Sequence, residues 1–205
     1  PDKQPASMMG CMDTGYEVSA YDVDALRSHF PSLTSGLAHF DGPGGTQTPR
    51  PVGEAIAATI TGPLSNRGTT NPAQRNAEEA VQAFRSAYSD LLGVPPEGVV
   101  HGRSATALIY DFARAIAKTW QPGDEVVVSR LDHDANVRPW VQAARAAGAT
   151  VRWIDIDPES AELDLDSAAR VVGSHTVLVA FTAASNLLGT KVPARAVADL
   201  AHAVG

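Results

Sequence analysis

A histidine stands between two carboxylates in the sequence Asp132-His133-Asp134. It follows an apolar, β-branched run at residues 125–128, which is too short for a helix and is typical of a buried parallel strand. Apolar side chains then recur at helical spacing from residue 137 to residue 144, which predicts an amphipathic helix. The histidine therefore lies between the carboxyl end of a strand and the start of a helix, where open α/β sheets bind their ligands.

Three interpretations of His133 are open from these residues alone. It is an ordinary loop histidine held by local hydrogen bonds, a metal ligand, or an imidazole that faces a planar cofactor. A metal site built from three adjacent residues is disfavoured, because their side chains cannot all point inward. Pro139 lacks an N–H and fits the first turn of the following helix. Asn136 is then the expected N-cap of that helix, with Asp134 as the alternative.

A second polar junction is Ser104-Ala105-Thr106, which follows an expected strand at 99–101 and opens an expected helix at 105–119. Small residues at a helix start leave free N–H groups and hydroxyls, and helix N-termini attract anions. The junction therefore suits a phosphate group. The alternative is that Ser104 is a simple N-cap that needs no ligand.

A third junction is the segment 184–190, which follows an expected strand at 176–182 and contains Asn186 before a glycine turn. The alternative here is an asparagine that only caps its own turn. Because parallel strands end at the same edge of a sheet, the three junctions together predict one site. It would contain a phosphate-binding helix start, an imidazole and an amide.

Alternating strands and helices from residue 99 onward predict a mostly parallel sheet that is covered by helices on both faces. Before residue 99, a short strand at 38–40 is expected to run into a glycine-rich turn, with Gly44 and Gly45 free to adopt positive φ. This turn is no P-loop, because no Gly-Lys-Ser/Thr follows it. Further helices are expected at 22–29, with Val23, Leu26 and Phe30 inward, at 51–60, from 72 or 74 to 92, within 160–171 and at 193–204.

Composition limits the classes of function. The 205 residues, of which 44% are hydrophobic and 19% charged, suit a globular protein of one domain or slightly more. A net charge of −7 without any Lys/Arg cluster argues against nucleic acid as a partner. The single cysteine, Cys11, excludes an intrachain disulfide. No apolar run reaches membrane-spanning length and no signal-peptide core is found, so a cytoplasmic protein without membrane contact is expected.

The motifs resemble, in order and spacing, the N-terminal half of a class V aminotransferase, the pyridoxal-phosphate family that includes the cysteine desulfurases. This resemblance implies an α/β fold, the fold-type-I large domain, incomplete at its C-terminus. It also implies a homodimer. Residues 1–35 are then a leader with a short helix, and 36–205 the partial cofactor-binding domain. The segments that carry the resemblance are Phe40-Asp41-Gly42-Pro43-Gly44-Gly45, Arg103-Ser104-Ala105-Thr106, Leu131-Asp132-His133-Asp134-Ala135-Asn136 with Pro139-Trp140, and Ser185-Asn186-Leu187-Leu188-Gly189-Thr190.

The resemblance also implies a role for each junction. Thr106, with Ser104 and the backbone at Ala105, should bind the cofactor phosphate, although the family usually has glycine where this chain has Ser104. His133 should stack on the pyridine ring and pass protons, and Asn186 should hydrogen-bond the phenolic oxygen of the ring. The family acts on amino acids or amines through an external aldimine. Transamination, desulfuration, C–S lysis and epimerisation all share this half of the scaffold.

Pyridoxal phosphate chemistry also needs a Schiff-base lysine and an acid beside the ring nitrogen. The resemblance places both after residue 205, and Lys3, Lys118 and Lys191 do not match the family's lysine. The chain alone is therefore expected to be inactive. Two rival hypotheses are a non-catalytic fragment or family member that binds partners and a nucleotide-binding doubly wound domain. The second lacks a G-x-G-x-x-G motif after its first strand.

Overall fold

A computed structural model of the protein describes residues 22–205. The described residues divide into two compact units, one that ends at Glu78 and one that comprises Glu79–Gly205, and their boundary falls within a long helix. The division predicted at residue 35 stays a prediction. The helices are α1 (Val23–Ser28), α2 (Arg50–Thr61), α3 (Pro72–Leu92), α4 (Ala105–Ile116), α5 (Arg138–Ala147), α6 (Leu165–Val171) and α7 (Ala194–His202), and the strands are β1 (Glu125–Ser129), β2 (Thr150–Ile154) and β3 (Thr176–Ala180).

The three strands form a parallel sheet in the order β2-β1-β3, with β1 in the centre. Side chains on a strand alternate between its two faces, and β1 buries both. Val126 and Val128 pack in a cluster with Trp140 from α5, while Val127 packs in a second cluster with Val197 from α7. The predicted parallel sheet with helices on both faces is thereby confirmed.

The apolar residues of α1 and α2 behave differently from the prediction. Both helices form, and Asp22 caps α1 by accepting a hydrogen bond from the N–H of Ala25 at 2.9 Å. Neither helix contains a buried residue, however, and Val23 and Leu26, which we expected to point inward, are exposed. The expectation of burial was wrong because no other described element covers these side chains.

The short strands expected at 38–40 and 99–101 do not form. A strand needs a neighbour to satisfy its backbone groups, and neither segment pairs with another within residues 22–205. The glycine-rich turn after residue 40 is a 3-10 helix, Gly42–Gly44, and neither Gly44 nor Gly45 has a left-handed φ. A Cβ at Gly44 would lie 2.6 Å from the Asp41 carboxylate, which is the end of an exposed side chain that can turn away, so a larger residue fits there after a small movement.

The remaining helices match their predicted ranges within a few residues, and their ends have clear causes. Gly93 follows α3 with φ +65°, a left-handed conformation that glycine adopts without strain. Helix α4 ends three residues early and continues as a 3-10 turn, Ala117–Thr119. Strand β3 is two residues shorter than predicted, because its ladder to β1 ends at Ala180. Within the described residues, no helix is both long and apolar enough to span a membrane.

Candidate functional site

The start of α4 provides free hydrogen-bond donors. The Ser104 hydroxyl accepts from the N–H of Ala107 at 3.1 Å, so Ser104 is the N-cap. The N–H groups of Ala105 and Thr106 have no acceptor within residues 22–205, and the Thr106 side chain is exposed with no hydrogen bond there. The cap interpretation of Ser104 is therefore correct, and two amides and one hydroxyl remain available to an anion.

The imidazole of His133 is exposed but not free to rotate. Its Nδ1 accepts a hydrogen bond from the backbone N–H of Ala135 at 3.0 Å, which makes His133 the N-cap of a 3-10 helix, Asp134–Asn136. An acceptor nitrogen carries no proton, so this hydrogen bond assigns the neutral tautomer with its proton on Nε2. His133 therefore presents a single donor, Nε2–H, on an exposed ring edge.

Asn136 is not the N-cap that we expected for the helix after His133. Helix α5 begins at Arg138, Val137 occupies its N-cap position without a side-chain hydrogen bond, and Pro139 lies in the first turn as predicted. The Asn136 side chain instead donates through Nδ2 to Asp132 Oδ1 and accepts through Oδ1 from Trp140 Nε1, both at 3.0 Å. The three side chains stand four residues apart, so one chain of hydrogen bonds runs from the buried indole to the carboxylate.

This chain of hydrogen bonds fixes the orientation of the Asp132 carboxylate, which lies beside His133 in the sequence. An indole N–H can only donate and an ionised carboxylate can only accept, so the amide of Asn136 fits in one way. Asp132 is half-buried, and its Oδ2 is buried without a partner among the described residues. Burial raises the pKa of Asp132 above its usual value, against the opposing effects of the hydrogen bond from Asn136 and of nearby backbone N–H groups.

The third loop is held by Ser185 and not by Asn186. The buried Ser185 hydroxyl accepts from the N–H groups of Leu187 at 3.3 Å and Leu188 at 3.1 Å, and an isolated bridge pairs Ala184 with Lys191. The side chain of Asn186 is exposed and makes no hydrogen bond within residues 22–205. The turn-capping interpretation of Asn186 is therefore wrong, and its amide remains available to a ligand.

The sheet topology brings the loops of His133 and Asn186 to one edge, because they follow the neighbouring parallel strands β1 and β3. Helix α4, whose N-cap is Ser104, packs against the 3-10 helix that His133 caps. The structure thus brings two of the three predicted junctions to one edge of the sheet, and that the start of α4 joins them in one site stays a prediction. Sequence reasoning missed the hydrogen-bonded link from Asp132 through Asn136 to Trp140, although the spacing of 132, 136 and 140 was the signal that could have revealed it.

Other candidate groups lie elsewhere. No three His, Cys, Asp or Glu side chains in residues 22–205 are arranged to hold a metal ion. The metal interpretation of Asp132, His133 and Asp134 is therefore not supported, and Asp134 pairs instead with Arg138 at 2.8 Å on the surface. Lys118 is exposed in the 3-10 turn after α4, and Lys191 is exposed at the bridge with Ala184. Cys11 and Lys3 lie outside the described residues.

The family model of class-V aminotransferases matches residues 38–205 of this chain. A probable cysteine desulfurase of Pseudomonas aeruginosa is 34% identical over 187 residues, which cover 87% of this chain and 46% of that protein. This chain spans about half the length, or less, of the curated relatives it matches.

Solved structures share the fold. The apo structure of a cysteine desulfurase from Thermococcus onnurineus superposes with a TM-score of 0.82 at 23% identity, over 91% of this chain and 46% of that one. A variant of the protein C-DES, which holds glycine covalently linked to its pyridoxal phosphate cofactor, superposes with a TM-score of 0.67 at 19% identity, over 85% and 45% of the two chains. This chain therefore has part of the α/β fold-type-I architecture.

Proposed function

Because the chain belongs to the class-V aminotransferase family, we propose that it supplies most of the cofactor-binding site of a pyridoxal-phosphate enzyme. The observation that carries this proposal is the set of free polar groups at the three predicted junctions. The N–H groups of Ala105 and Thr106, the Nε2–H of His133 and the amide of Asn186 all lack partners within residues 22–205. Relatives with the same fold include a protein that holds this cofactor.

The free groups fit the three parts of pyridoxal phosphate. The start of α4 offers two backbone N–H groups, the Thr106 hydroxyl and the positive end of a helix dipole, which suit the phosphate. The exposed ring of His133 offers a flat apolar surface for the pyridine. The Asn186 amide offers a donor for the phenolic oxygen. Ser104 caps the helix and so fixes the positions of Ala105 and Thr106, which are the residues that donate to the phosphate.

When bound, pyridoxal phosphate supplies an electron sink for bonds at the α-carbon of an amino acid or amine. The residues of this chain orient that group and hold protons beside it. His133 offers a proton from Nε2, while Nδ1 can take one up only after the hydrogen bond from Ala135 has opened. In this conformation His133 is therefore a hydrogen-bond donor, and proton uptake requires the turn to rearrange.

The proposed substrate is an amino acid or amine, with cysteine as the first to test because several relatives are named cysteine desulfurases. We also propose a homodimer. The apolar residues Val52, Ile56 and Ile60 of α2 are exposed, which suits a helix face that a second copy covers. Sedimentation of the full-length protein tests this point. A cytoplasmic location stays a prediction.

The decisive experiment titrates the full-length protein with pyridoxal phosphate and, separately, with pyridoxal. Thr106→Val removes a hydrogen bond to a charged group and should weaken phosphate-cofactor binding by about 1.5–3 kcal/mol. Pyridoxal, which lacks the phosphate, should lose much less. Equal losses for both ligands would show that Thr106 does not contact the phosphate.

A second measurement uses the ring. His133→Ala should change the visible absorbance of the bound cofactor and reduce turnover strongly. His133→Asn is the matched control for the loop, because an asparagine oxygen can accept from the Ala135 N–H as Nδ1 does. If both variants keep the wild-type spectrum and activity, the stacking role of His133 is wrong. Alanine and sulfane sulfur formed from cysteine, with the sulfur released as sulfide by an added thiol reductant, would indicate desulfuration, whereas a keto acid formed from an amino acid with transfer of its amino group to an acceptor would indicate transamination.

No binding of pyridoxal phosphate to the full-length protein would contradict the proposal as a whole. The alternative of a binding module without cofactor chemistry would then gain support.

A further inference from the structure

Two polar groups without partners lie in the loops that follow the neighbouring strands β1 and β3. Asp132 Oδ2 is buried and accepts no hydrogen bond within residues 22–205. Thr182 is the second residue after β3, and the register that pairs Val128 of β1 with Ala180 of β3 places it beside the loop that contains Asp132. In agreement with this placement, its backbone N–H lowers the pKa of the Asp132 carboxylate. This N–H nevertheless makes no hydrogen bond of regular geometry with any described residue. One group is an acceptor and the other a donor.

The acceptor, the Asp132 carboxylate, is held in place by hydrogen bonds that lead to a side chain of the core. Trp140 is only 8% exposed and belongs to the apolar cluster under β1. Its indole N–H fixes Asn136, and Asn136 in turn fixes Asp132 Oδ1. The remaining oxygen of the carboxylate is therefore set at one position, and it cannot turn toward solvent without breaking this chain of hydrogen bonds.

The donor lies in the loop that carries Asn186. The Thr182 hydroxyl donates to the carbonyl oxygen of Ala184 at 2.6 Å, and the N–H of Ser185 donates to the carbonyl oxygen of Thr190 at 2.9 Å. Thr182 is therefore linked to the turn that presents Asn186. A hydrogen bond at Thr182 would fix the start of this turn.

We propose that Asp132 is a positioning residue, whose Oδ2 accepts a hydrogen bond from the Thr182 N–H and thereby fixes the Asn186 loop relative to the His133 loop. The bond satisfies both unpaired groups at once, and an unpaired buried polar group is costly. The part of this inference that concerns the cofactor depends on the proposed function. The contact between the two loops does not.

The test compares Asp132→Asn with Asp134→Asn in the full-length protein. The first substitution keeps an oxygen for Asn136 and replaces the other carboxylate oxygen by an amide that cannot accept from Thr182. The second removes a charge on the opposite side of His133, where Asp134 pairs with Arg138 at the surface. Hydrogen exchange of the cofactor-free protein is measured on peptides that cover residues 181–187.

Asp132→Asn should accelerate exchange in this segment by about tenfold or more, because a hydrogen bond to a charged group is lost. Asp134→Asn should leave the exchange rate unchanged. In the wild type, the Thr182 amide should exchange much more slowly than an unprotected amide. This last measurement needs no variant, so it decides the proposal even if Asp132→Asn does not fold. An unprotected Thr182 amide, or equal exchange in both variants, would overturn the proposal.

A double-mutant cycle gives the readout that a merely structural role would not change. Asn186→Ala should weaken pyridoxal phosphate binding several-fold in the wild type and distinctly less in the Asp132→Asn background, because the loop is then already misplaced. In the Asp134→Asn background its effect should be unchanged. Additive effects in the Asp132→Asn background would refute the coupling. If the wild type binds no pyridoxal phosphate, the proposed function fails, while the exchange measurement still decides the role of Asp132.

Discussion

Helices α2 and α5 are similar in sequence pattern and opposite in burial. They have 12 and 10 residues, each has a proline in its first turn, and neither has a side-chain N-cap. Both carry apolar side chains at helical spacing. Helix α5 buries Pro139, Trp140 and Ala144, whereas α2 buries none of its residues.

This difference in burial shows that the spacing of apolar residues determines whether a helix has an apolar stripe, but not which element covers that stripe. Helix α5 is the first α-helix after β1 and packs against β1 and β2, so its stripe becomes part of the core. In α2, Val52 is 46%, Ile56 55% and Ile60 72% exposed. The four predictions below test this contrast and the polar network that accompanies it.

The largest effect is expected at the buried stripe. Trp140→Ala should lower the free energy of unfolding by about 3–5 kcal/mol, because it leaves a cavity and removes the donor to Asn136. Ile56→Ala in α2 should change it by no more than about 0.5 kcal/mol. Chemical denaturation of both variants measures the difference. A large loss for Ile56→Ala would show that the stripe of α2 is covered in solution, as in the proposed homodimer.

A smaller effect is expected for the polar link beside the α5 stripe. Asn136→Ala leaves Trp140 Nε1 and Asp132 Oδ1 without partners and should cost about 1–3 kcal/mol. The matched control is Thr59→Ala in α2, where an exposed hydroxyl donates to the Ala55 carbonyl at 2.8 Å. This control should stay close to the wild type in thermal and chemical unfolding. Equal losses would mean that the network beside α5 adds no stability.

Side-chain capping distinguishes α4 from both α2 and α5. Ser104→Ala removes the acceptor for the Ala107 N–H and should cost about 0.5–2 kcal/mol. Ser104→Asp keeps an acceptor there, so its stability should stay near the wild-type value. Its negative charge should nonetheless weaken pyridoxal phosphate binding at the start of α4. Unchanged stability of the alanine variant would contradict the capping role of Ser104.

The smallest effect concerns pH. Burial raises the pKa of Asp132, so the folded protein binds this proton more tightly than the unfolded chain does. The ionised carboxylate therefore lowers the free energy of unfolding at neutral pH. This loss in the free energy of unfolding should become smaller as the pH falls from the raised pKa of Asp132 in the folded protein toward its pKa in the unfolded chain. The difference in stability between the wild type and Asp132→Asn should accordingly shift in favour of the wild type from pH 7 to pH 4, which denaturation of both proteins at a series of pH values measures.

The sequence by itself determined those strands, helices and helix ends that depend on residues close to one another in the chain. The length and β-branching of residues 125–128, the helical spacing after residue 137 and the glycine at 93 predicted β1, α5 and the end of α3 correctly. The alternation of strands and helices predicted a parallel sheet, and its carboxyl edge correctly placed the loops of His133 and Asn186 after neighbouring strands. The position of Ser104 beside them stays a prediction, because no strand forms at 99–101. These inferences succeed because turns, caps and periodicity depend on residues only a few positions apart.

Only the tertiary structure decided what each group contacts across the chain. It left residues 38–40 and 99–101 without a neighbouring strand and left the stripe of α2 exposed. It also assigned the capping of the third loop to Ser185. Asn136 looked like a helix cap in the sequence, yet it links Asp132 to a buried indole. A hydrogen bond or an apolar contact needs a partner at the right distance, and for these residues the partner depends on how separate elements pack.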